Sequence, residues 1–141
     1  MKQSLSLIIL ICLLSLTSCI APKMAQTLND VKKLEINEQQ FIGKPLKVLL
    51  KQIKPKIRMA LGNLDEISTT QSPFLLFHFY DKEDFIRRYS KKENPLSIRV
   101  VLQKLPGKSY PALPSSTIWA IEQVKAYGEM TVLRISVSGK D

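Results

Sequence analysis

The sequence predicts an α+β domain in two layers, with short N-terminal helices packed on a mainly antiparallel sheet of about four strands. The first observation behind this prediction is helical spacing of apolar residues between residues 28 and 53. The second is alternation of apolar and polar residues in several later segments. The third is that neighbouring strand segments are too close in the chain for parallel crossovers, so they should pair antiparallel. Helices and strands that occupy different parts of a chain typically pack as two layers.

The N-terminal side of the predicted domain carries a short helical segment. Leu28, Val31 and Leu34 have the spacing that places side chains on one face of a helix. The next residues, Asn37–Gln40, resemble a capping box, in which Asn37 accepts a backbone N–H and Gln40 reaches back to the cap. We therefore predict a helix N-terminus at Asn37.

A second helix is predicted directly after it. Gly43 would supply the left-handed residue that ends the preceding helix, and Pro45 suits a first helical position because its missing N–H needs no partner there. Pro55 would prevent the helix from continuing. The predicted buried face of this helix consists of Leu46, Leu49, Leu50 and Ile53.

Strands are predicted in four segments. Phe74 to Tyr80 is apolar on both alternation sets except at His78, as in a central strand that is buried on both faces. A turn at Gly62-Asn63 would end the first strand. The alternating apolar positions of the other three strands are Ile57, Met59 and Leu61, then Ile98, Val100 and Leu102, and finally Leu133, Ile135 and Val137.

The connections between the strands contain two further elements. Residues 81–89 are expected to be helical, because Phe85 and Tyr89 are four residues apart. Residues 106–114 contain three prolines and a glycine and are predicted as a surface loop. Residues 115–126 fit either a helix capped at Ser115-Ser116, with Ile118, Ile121 and Val124 on one face, or a strand that begins at the β-branched Thr117 and Ile118; we favour the helix.

The first eighteen residues are predicted to be a targeting segment rather than part of the fold. A positive start at Lys2 precedes a nearly unbroken apolar run from Leu5 to Leu16, which is too short to span a bilayer. Leu16-Thr17-Ser18-Cys19 resembles a bacterial lipobox. The resemblance implies cleavage before Cys19, a diacylglycerol on its sulfur and an acylated amino group. More than one acyl chain is what stable anchoring requires.

The lipobox divides the chain into a cleaved signal peptide (1–18), a lipidated tether (19–27) and a single α+β domain (28–141). The residues after Cys19 include neither an aspartate at position 20 nor an acidic run, which favours the periplasmic leaflet of the outer membrane in the cell envelope. A tether of about eight residues reaches at most about 26 Å, so the domain should stay close to the lipid surface. The covalent lipid on Cys19 is the only attached group that we expect.

The charge excess suggests a partner. The chain has 21 Lys and Arg residues against 12 Asp and Glu residues, for a net charge of +9. Four lysines fall on one stripe of the second predicted helix, away from its apolar face. This lysine ridge could contact anionic head groups, an acidic envelope protein or a polyanionic glycan, or it could be an ordinary solubilising surface. The ridge consists of Lys44, Lys47, Lys51 and Lys54.

Patterns for catalysis and ligand binding are weak in this sequence. The single histidine, His78, falls within a predicted strand, where a hydrogen-bonded structural role is more typical than that of a base. Asp81, Glu83 and Asp84 follow it but resemble the acidic start of a helix more than a metal site. Neither a phosphate-binding glycine loop nor a dinucleotide motif occurs. We expect no catalytic residues, no metal, no small-molecule cofactor and no nucleic acid.

One stretch of the chain resembles a pattern in small lipoproteins of Bacteroides-like bacteria. It consists of Phe41-Ile42-Gly43-Lys44-Pro45-Leu46, followed by Leu49-Leu50 and Ile57. That resemblance implies a lipid-anchored α+β domain and brings no activity with it. A fainter likeness, in architecture and lipobox alone, is to the lipoprotein of the outer-membrane barrel-assembly machine. The expected function is a non-enzymatic binding or assembly module of the envelope. The alternatives are a small hydrolase that uses His78 with Asp and Glu residues, and an immunity-type inhibitor.

Overall fold

The computed structural model describes residues 21–64, 72–113 and 117–140, and within them it contains an α+β fold. Its four α-helices are α1 (Lys32–Ile36), α2 (Leu46–Leu50), α3 (Lys82–Ser90) and α4 (Ile121–Tyr127). Its strands are β1 (Met59–Asn63), β2 (Phe74–His78), β3 (Ser97–Gln103), β4 (Thr117–Ile118) and β5 (Thr131–Ser138). Short 3₁₀ turns at Leu28–Asp30 and Glu38–Gln40 precede and follow α1. The predicted fold class is confirmed.

The strands form one antiparallel sheet in the order β4-β1-β2-β3-β5. The strand predicted to be central, β2, is the third of the five strands. The strand β4 has only two residues and lies at one edge, beside four longer strands. The register aligns Met59, His78, Ser97 and Ser138 at one end of the sheet. The connections that enter β1, join β2 to β3 and leave β5 therefore all lie at that end.

One face of the sheet holds the main core. Phe77 of β2 is fully buried and meets Trp119 edge-on, with ring centroids 4.8 Å apart. Trp119 also stacks on Tyr127 of α4, whose hydroxyl donates a hydrogen bond to the carbonyl of Pro111. Burial raises the pKa of the Tyr127 hydroxyl. The other fully buried aliphatic side chains on β2, β3 and β5 are Leu75, Ile98, Val100, Leu102 and Val132.

The N-terminal helices pack along the β5 side of this core. Leu34, Leu46 and Leu49 are fully buried, as the helical spacing predicts. The chain from Gly43 to Lys44 pairs with Val132, since the Gly43 N–H donates to the Val132 carbonyl and the Val132 N–H donates to that of Lys44. The Glu38 carboxylate accepts from the outer N–H of Ile135 at 3.1 Å. These contacts cover part of an edge strand that would otherwise present unpaired backbone groups.

Two predicted helix ends are corrected. Asn37 does not cap the following turn, because its side-chain amide donates back to the Lys33 carbonyl, which also accepts the Asn37 backbone N–H. The first-turn cap forms instead at Thr27, whose N–H and hydroxyl both donate to Asp30. Pro45 lies at the N-cap of α2 with an extended ψ of 141°, one position before the predicted site. Gly43 has the predicted left-handed conformation, with φ of 79°.

Three further predictions are corrected, for the end of the first strand, for the last strand and for residues 115–126. Gly62 and Asn63 belong to β1 rather than to a turn, and Gly62 suits this place because an added Cβ would overlap the backbone carbonyl oxygen of Phe74 in β2. A bulge opposite Val101 and Leu102 shifts the register of β5, so Val132 is buried where Leu133 was predicted to be. Residues 117–126 are a short strand followed by a helix, and Ile118 is 77% exposed.

The region 115–126 also places its buried residues differently from the prediction. Trp119 and Tyr127 face the core, whereas Ile121 is exposed and Val124 is half-buried. The N-terminus of α4 is closed by the Gln123 side chain, which accepts from the Ala120 N–H. The predicted cap at Ser115-Ser116 lies outside the described residues.

The folded domain begins before residue 28. The Ala25 N–H donates to the Gln52 carbonyl, the Lys54 N–H donates to the Ala25 carbonyl, and Ala25 is fully buried. Met24 and Ala25, which belong to the predicted tether, are thus bound to the chain that follows α2. The signal peptide, the lipobox and Cys19 lie outside the described residues.

Candidate functional site

The four lysines of the lysine ridge do not all lie on one continuous helix, and they differ in whether they form an ion pair. The helix α2 ends at Leu50, so Lys51 is its C-cap, while Lys44 and Lys54 lie outside it. Lys47 is half-exposed and forms an ion pair with Glu129, and this hydrogen bond holds the pKa of the Glu129 carboxyl below its usual range. The other three lysines are exposed and have no ion pair among the described residues. The ridge therefore offers Lys44, Lys51 and Lys54 to a partner.

His78 does not have the hydrogen-bonded role predicted for it. The side chain is 2% exposed, and neither ring nitrogen has a hydrogen-bond partner in the described structure. Its ring lies 4.6 Å from that of Phe85 in α3. Burial lowers the pKa of His78 to about 4, so the imidazole is neutral near pH 7.

The acids that follow His78 serve the helix start. Asp81 is the N-cap of α3 and accepts from the Asp84 N–H at 2.9 Å. The Asp84 side chain forms an ion pair with Arg87, and Glu83 is exposed. Within the described ranges, no three His, Cys, Asp or Glu side chains converge as metal ligands would. The structure does not bring these acids together with the His78 nitrogens.

A second concentration of cations, which the sequence analysis did not identify, lies at the end of the sheet where Met59, His78, Ser97 and Ser138 align. We call it the basic end. Its side chains are exposed and make no ion pair with any described residue. They come from the start of α1, the segment before β1, the two ends of α3 and the residues after β5. The basic end consists of Lys32, Lys56, Arg58, Lys82, Lys91, Lys92 and Lys140.

The contacts at this end show that its segments are neighbours. Leu28 and Lys32 line a surface cavity of about 350 Å³ together with Leu96 and Lys140. The Lys140 N–H donates to the Asn94 carbonyl, which ties the chain after β5 to the connection between α3 and β3. The Arg58 N–H donates to the His78 carbonyl, and the Trp119 N–H donates to the Arg58 carbonyl. Sequence patterns alone could reveal this cluster only after the strand order was known.

The helix α3 adds two exposed apolar side chains to the basic end. Ile86 is 55% exposed and Tyr89 is 71% exposed, and the Tyr89 ring stacks on Phe85, which in turn contacts His78. Arg88 lies over the Tyr80 ring at 4.3 Å and forms an ion pair with Glu93. Among the described helices, none is long and apolar enough to cross a bilayer.

Comparison with known proteins adds no family to these observations. No family model matches the chain, and neither the curated proteins nor the solved structures contain a significant match.

Proposed function

We propose that this protein is a lipid-anchored lipoprotein of the bacterial cell envelope that acts as a non-enzymatic binding or assembly module. The observation that carries the proposal is Leu16-Thr17-Ser18-Cys19, which follows an apolar run at the position of a lipobox. On this proposal the mature chain starts at Cys19 and faces the periplasm from the outer membrane.

The position of Ala25 supports a role close to the lipid surface. Ala25 is fixed to the segment that follows α2, so only six Cα steps separate the folded domain from Cys19. Such a segment reaches about 20 Å at most. A partner of the domain must therefore be a component of the membrane or a protein that approaches it.

The exposed part of the lysine ridge is the surface that we assign to a protein partner. Lys44, Lys51 and Lys54 are exposed and have no ion pair among the described residues, so they keep their charge for an acidic partner. Lys47 contributes less, because Glu129 already neutralises it. Charges of this kind mainly steer the encounter and set its specificity.

The anchor is tested by labelling with a palmitate analogue and by membrane fractionation of cells. We expect the wild-type protein to be labelled and recovered with the membrane, and Cys19→Ala to be unlabelled and to leave the membrane fraction. Cys12→Ala is the matched control, since Cys12 is removed with the signal peptide. Globomycin should make the unprocessed form accumulate. An unlabelled wild-type protein, or a labelled Cys19→Ala, would contradict the proposal.

The ridge is tested by crosslinking and pull-down of the anchored protein from membranes. The triple variant Lys44→Gln, Lys51→Gln, Lys54→Gln should lose an acidic partner that the wild-type protein retains. A control with the same loss of charge is Lys104→Gln, Lys108→Gln, Lys125→Gln, which lies outside the ridge. Equal recovery of the partner with both triples would exclude the ridge as its binding surface.

A further inference from the structure

We propose that the basic end lies on an anionic phospholipid surface and that this contact fixes the orientation of the anchored domain. Ile86 and Tyr89 of α3 would enter the head-group region. The inference rests on the proposed lipid anchor and adds to it a second membrane contact, made by the folded domain itself.

The first argument is where the chain leaves the domain. Ala25 is held by Gln52 and Lys54, just before the segment that enters β1 at the basic end. Residues 28–32 lie against Leu96 and Lys140, which belong to the same end. Cys19 is at most about 20 Å from Ala25, so a lipid on Cys19 would bring this end of the sheet to the membrane.

The second argument is charge. The seven cations of the basic end outnumber the carboxylates without an ion pair on the adjoining described segments, which are Glu35, Asp81, Glu83 and Glu122. Asp81 is engaged as the N-cap of α3. A lysine close to an anionic leaflet strengthens binding by about fivefold. The excess therefore provides a substantial attraction that salt would weaken.

The third argument is the exposed side of α3. Lys82, Ile86 and Tyr89 are spaced by four and three residues, which places them along one stripe of the helix. Phe85 lies at the flank of this stripe, where it contacts His78 and stacks on the Tyr89 ring with centroids 6.2 Å apart. An aliphatic side chain, a tyrosine and a lysine on one stripe suit the membrane interface, where tyrosine is enriched and lysine extends its amine to the head groups.

The distribution of the cations favours a lipid surface over an acidic protein. They come from four separate segments at one end of the sheet instead of lining one groove. A diffuse negative surface attracts such a set whatever the detailed position of each lysine, whereas a protein partner requires matched geometry. The lysine ridge on the helical layer stays available for a protein.

The test places a nitroxide label at the basic end of the acylated protein in vesicles. If Cys12 is removed and Cys19 is acylated, Lys91→Cys introduces the only free thiol of the mature chain. Lys108→Cys is the control, because Lys108 is exposed and its charge acts on Glu129, away from the basic end. With phosphatidylglycerol present, we expect the label at residue 91 to become several-fold less accessible to a water-soluble nickel reagent.

The control label should stay accessible, and high salt or vesicles of phosphatidylcholine alone should restore access at residue 91. Equal accessibility of both labels in anionic vesicles would overturn the proposal. Protection of residue 91 that requires added envelope protein would also overturn it, since the occupant would then be a protein.

A second measurement separates this contact from the anchor. The Cys19→Ala chain, which should carry no lipid, is tested for co-sedimentation with vesicles that contain phosphatidylglycerol. Lys91→Gln, Lys92→Gln, Lys140→Gln should weaken its binding by up to about a hundredfold, and Lys44→Gln, Lys108→Gln, Lys125→Gln should leave it close to wild type. Equal effects of both triples, or no binding at all, would reject the basic end even if acylation of Cys19 were demonstrated. Binding with the expected pattern in a protein that is never acylated would reject the anchor instead.

Discussion

The two faces of the sheet differ in what covers them and in what they contain. The first face is lined by fully buried aliphatic and aromatic side chains and packs against α1, α2 and α4. The second carries His78, Ser97 and Arg99 on the same strands, and α3 covers it at the end near His78. Ser97 is buried with its hydroxyl 2.9 Å from that of Ser138, whereas Arg99 is exposed and lies over the Phe74 ring. The difference indicates that the first face supplies most of the stability of the fold. The second face contains the buried, titratable side chain of His78.

The largest expected effect is on the first face. Phe77→Ala should lower the free energy of unfolding by about 3–5 kcal/mol, because it empties a fully buried site and removes the edge contact with Trp119. Denaturant unfolding measures it. The control is Leu76→Ala, one residue earlier on the second face and only half-buried, which should cost clearly less. Equal losses would mean that both faces are packed to the same degree.

Because His78 is buried on the second face, we expect the free energy of unfolding to depend on pH. The unfolded chain binds a proton near pH 6.5, whereas burial lowers the pKa of His78 in the folded protein to about 4. Protons therefore favour the unfolded state as the pH falls from about 6.5 to about 4, and we expect a loss of about 3 kcal/mol over that interval. The contribution is fully present above pH 6.5.

The variant His78→Leu should remove that part of the pH dependence. Since neither ring nitrogen has a hydrogen-bond partner in the described structure, the substitution should leave stability near pH 7 equal or higher. The measurement is the free energy of unfolding of both proteins across the same pH range, where carboxylate titration is common to both. Parallel curves would show that the folded protein accommodates a protonated His78.

Gly62 tests how closely β1 approaches β2 on the first face. In Gly62→Ala the new Cβ would lie 2.9 Å from the Leu75 side chain and against the backbone of Phe74. We expect a loss of about 1–3 kcal/mol in the free energy of unfolding, because the strand must move to relieve the overlap. Thermal or denaturant unfolding measures the loss. Stability equal to that of the wild type would mean that β1 shifts freely at this position.

The sequence patterns that predicted the fold correctly are those of the first face. The fully apolar segment around Phe77 and the alternation at Ile98, Val100 and Leu102 correspond to β2 and β3, since burial of one face imposes a period of two. The pattern fails at Leu133, because a bulge inserts one residue without any mark in the composition. The helical face predicted for Ile118, Ile121 and Val124 is also wrong, because Ile118 pairs with β1 as an edge strand and the helix begins only at Ile121.

The candidate site was predicted only in part, for a related reason. A lysine ridge can be read from helical spacing, but the end of α2 at Leu50 and the pairing of Lys47 with Glu129, 82 residues later, depend on tertiary contacts. The basic end cannot be predicted from local sequence patterns, because its cations come from separate segments that only the antiparallel register brings to one end of the sheet. The burial of His78 without a partner likewise depends on Phe85 in α3.

The smallest expected effect concerns the helix that covers the second face. Asp81→Ala removes the acceptor of the Asp84 N–H and should cost about 1 kcal/mol of stability, whereas Asp81→Asn should retain most of the cap. Because α3 meets the sheet through Phe85 against His78, the loss should appear first as faster amide exchange in α3, with the amides of β2 still protected. If amide exchange accelerates equally in α3 and β2, the two faces of the sheet unfold as one unit. The two faces would then differ in composition but not in local stability.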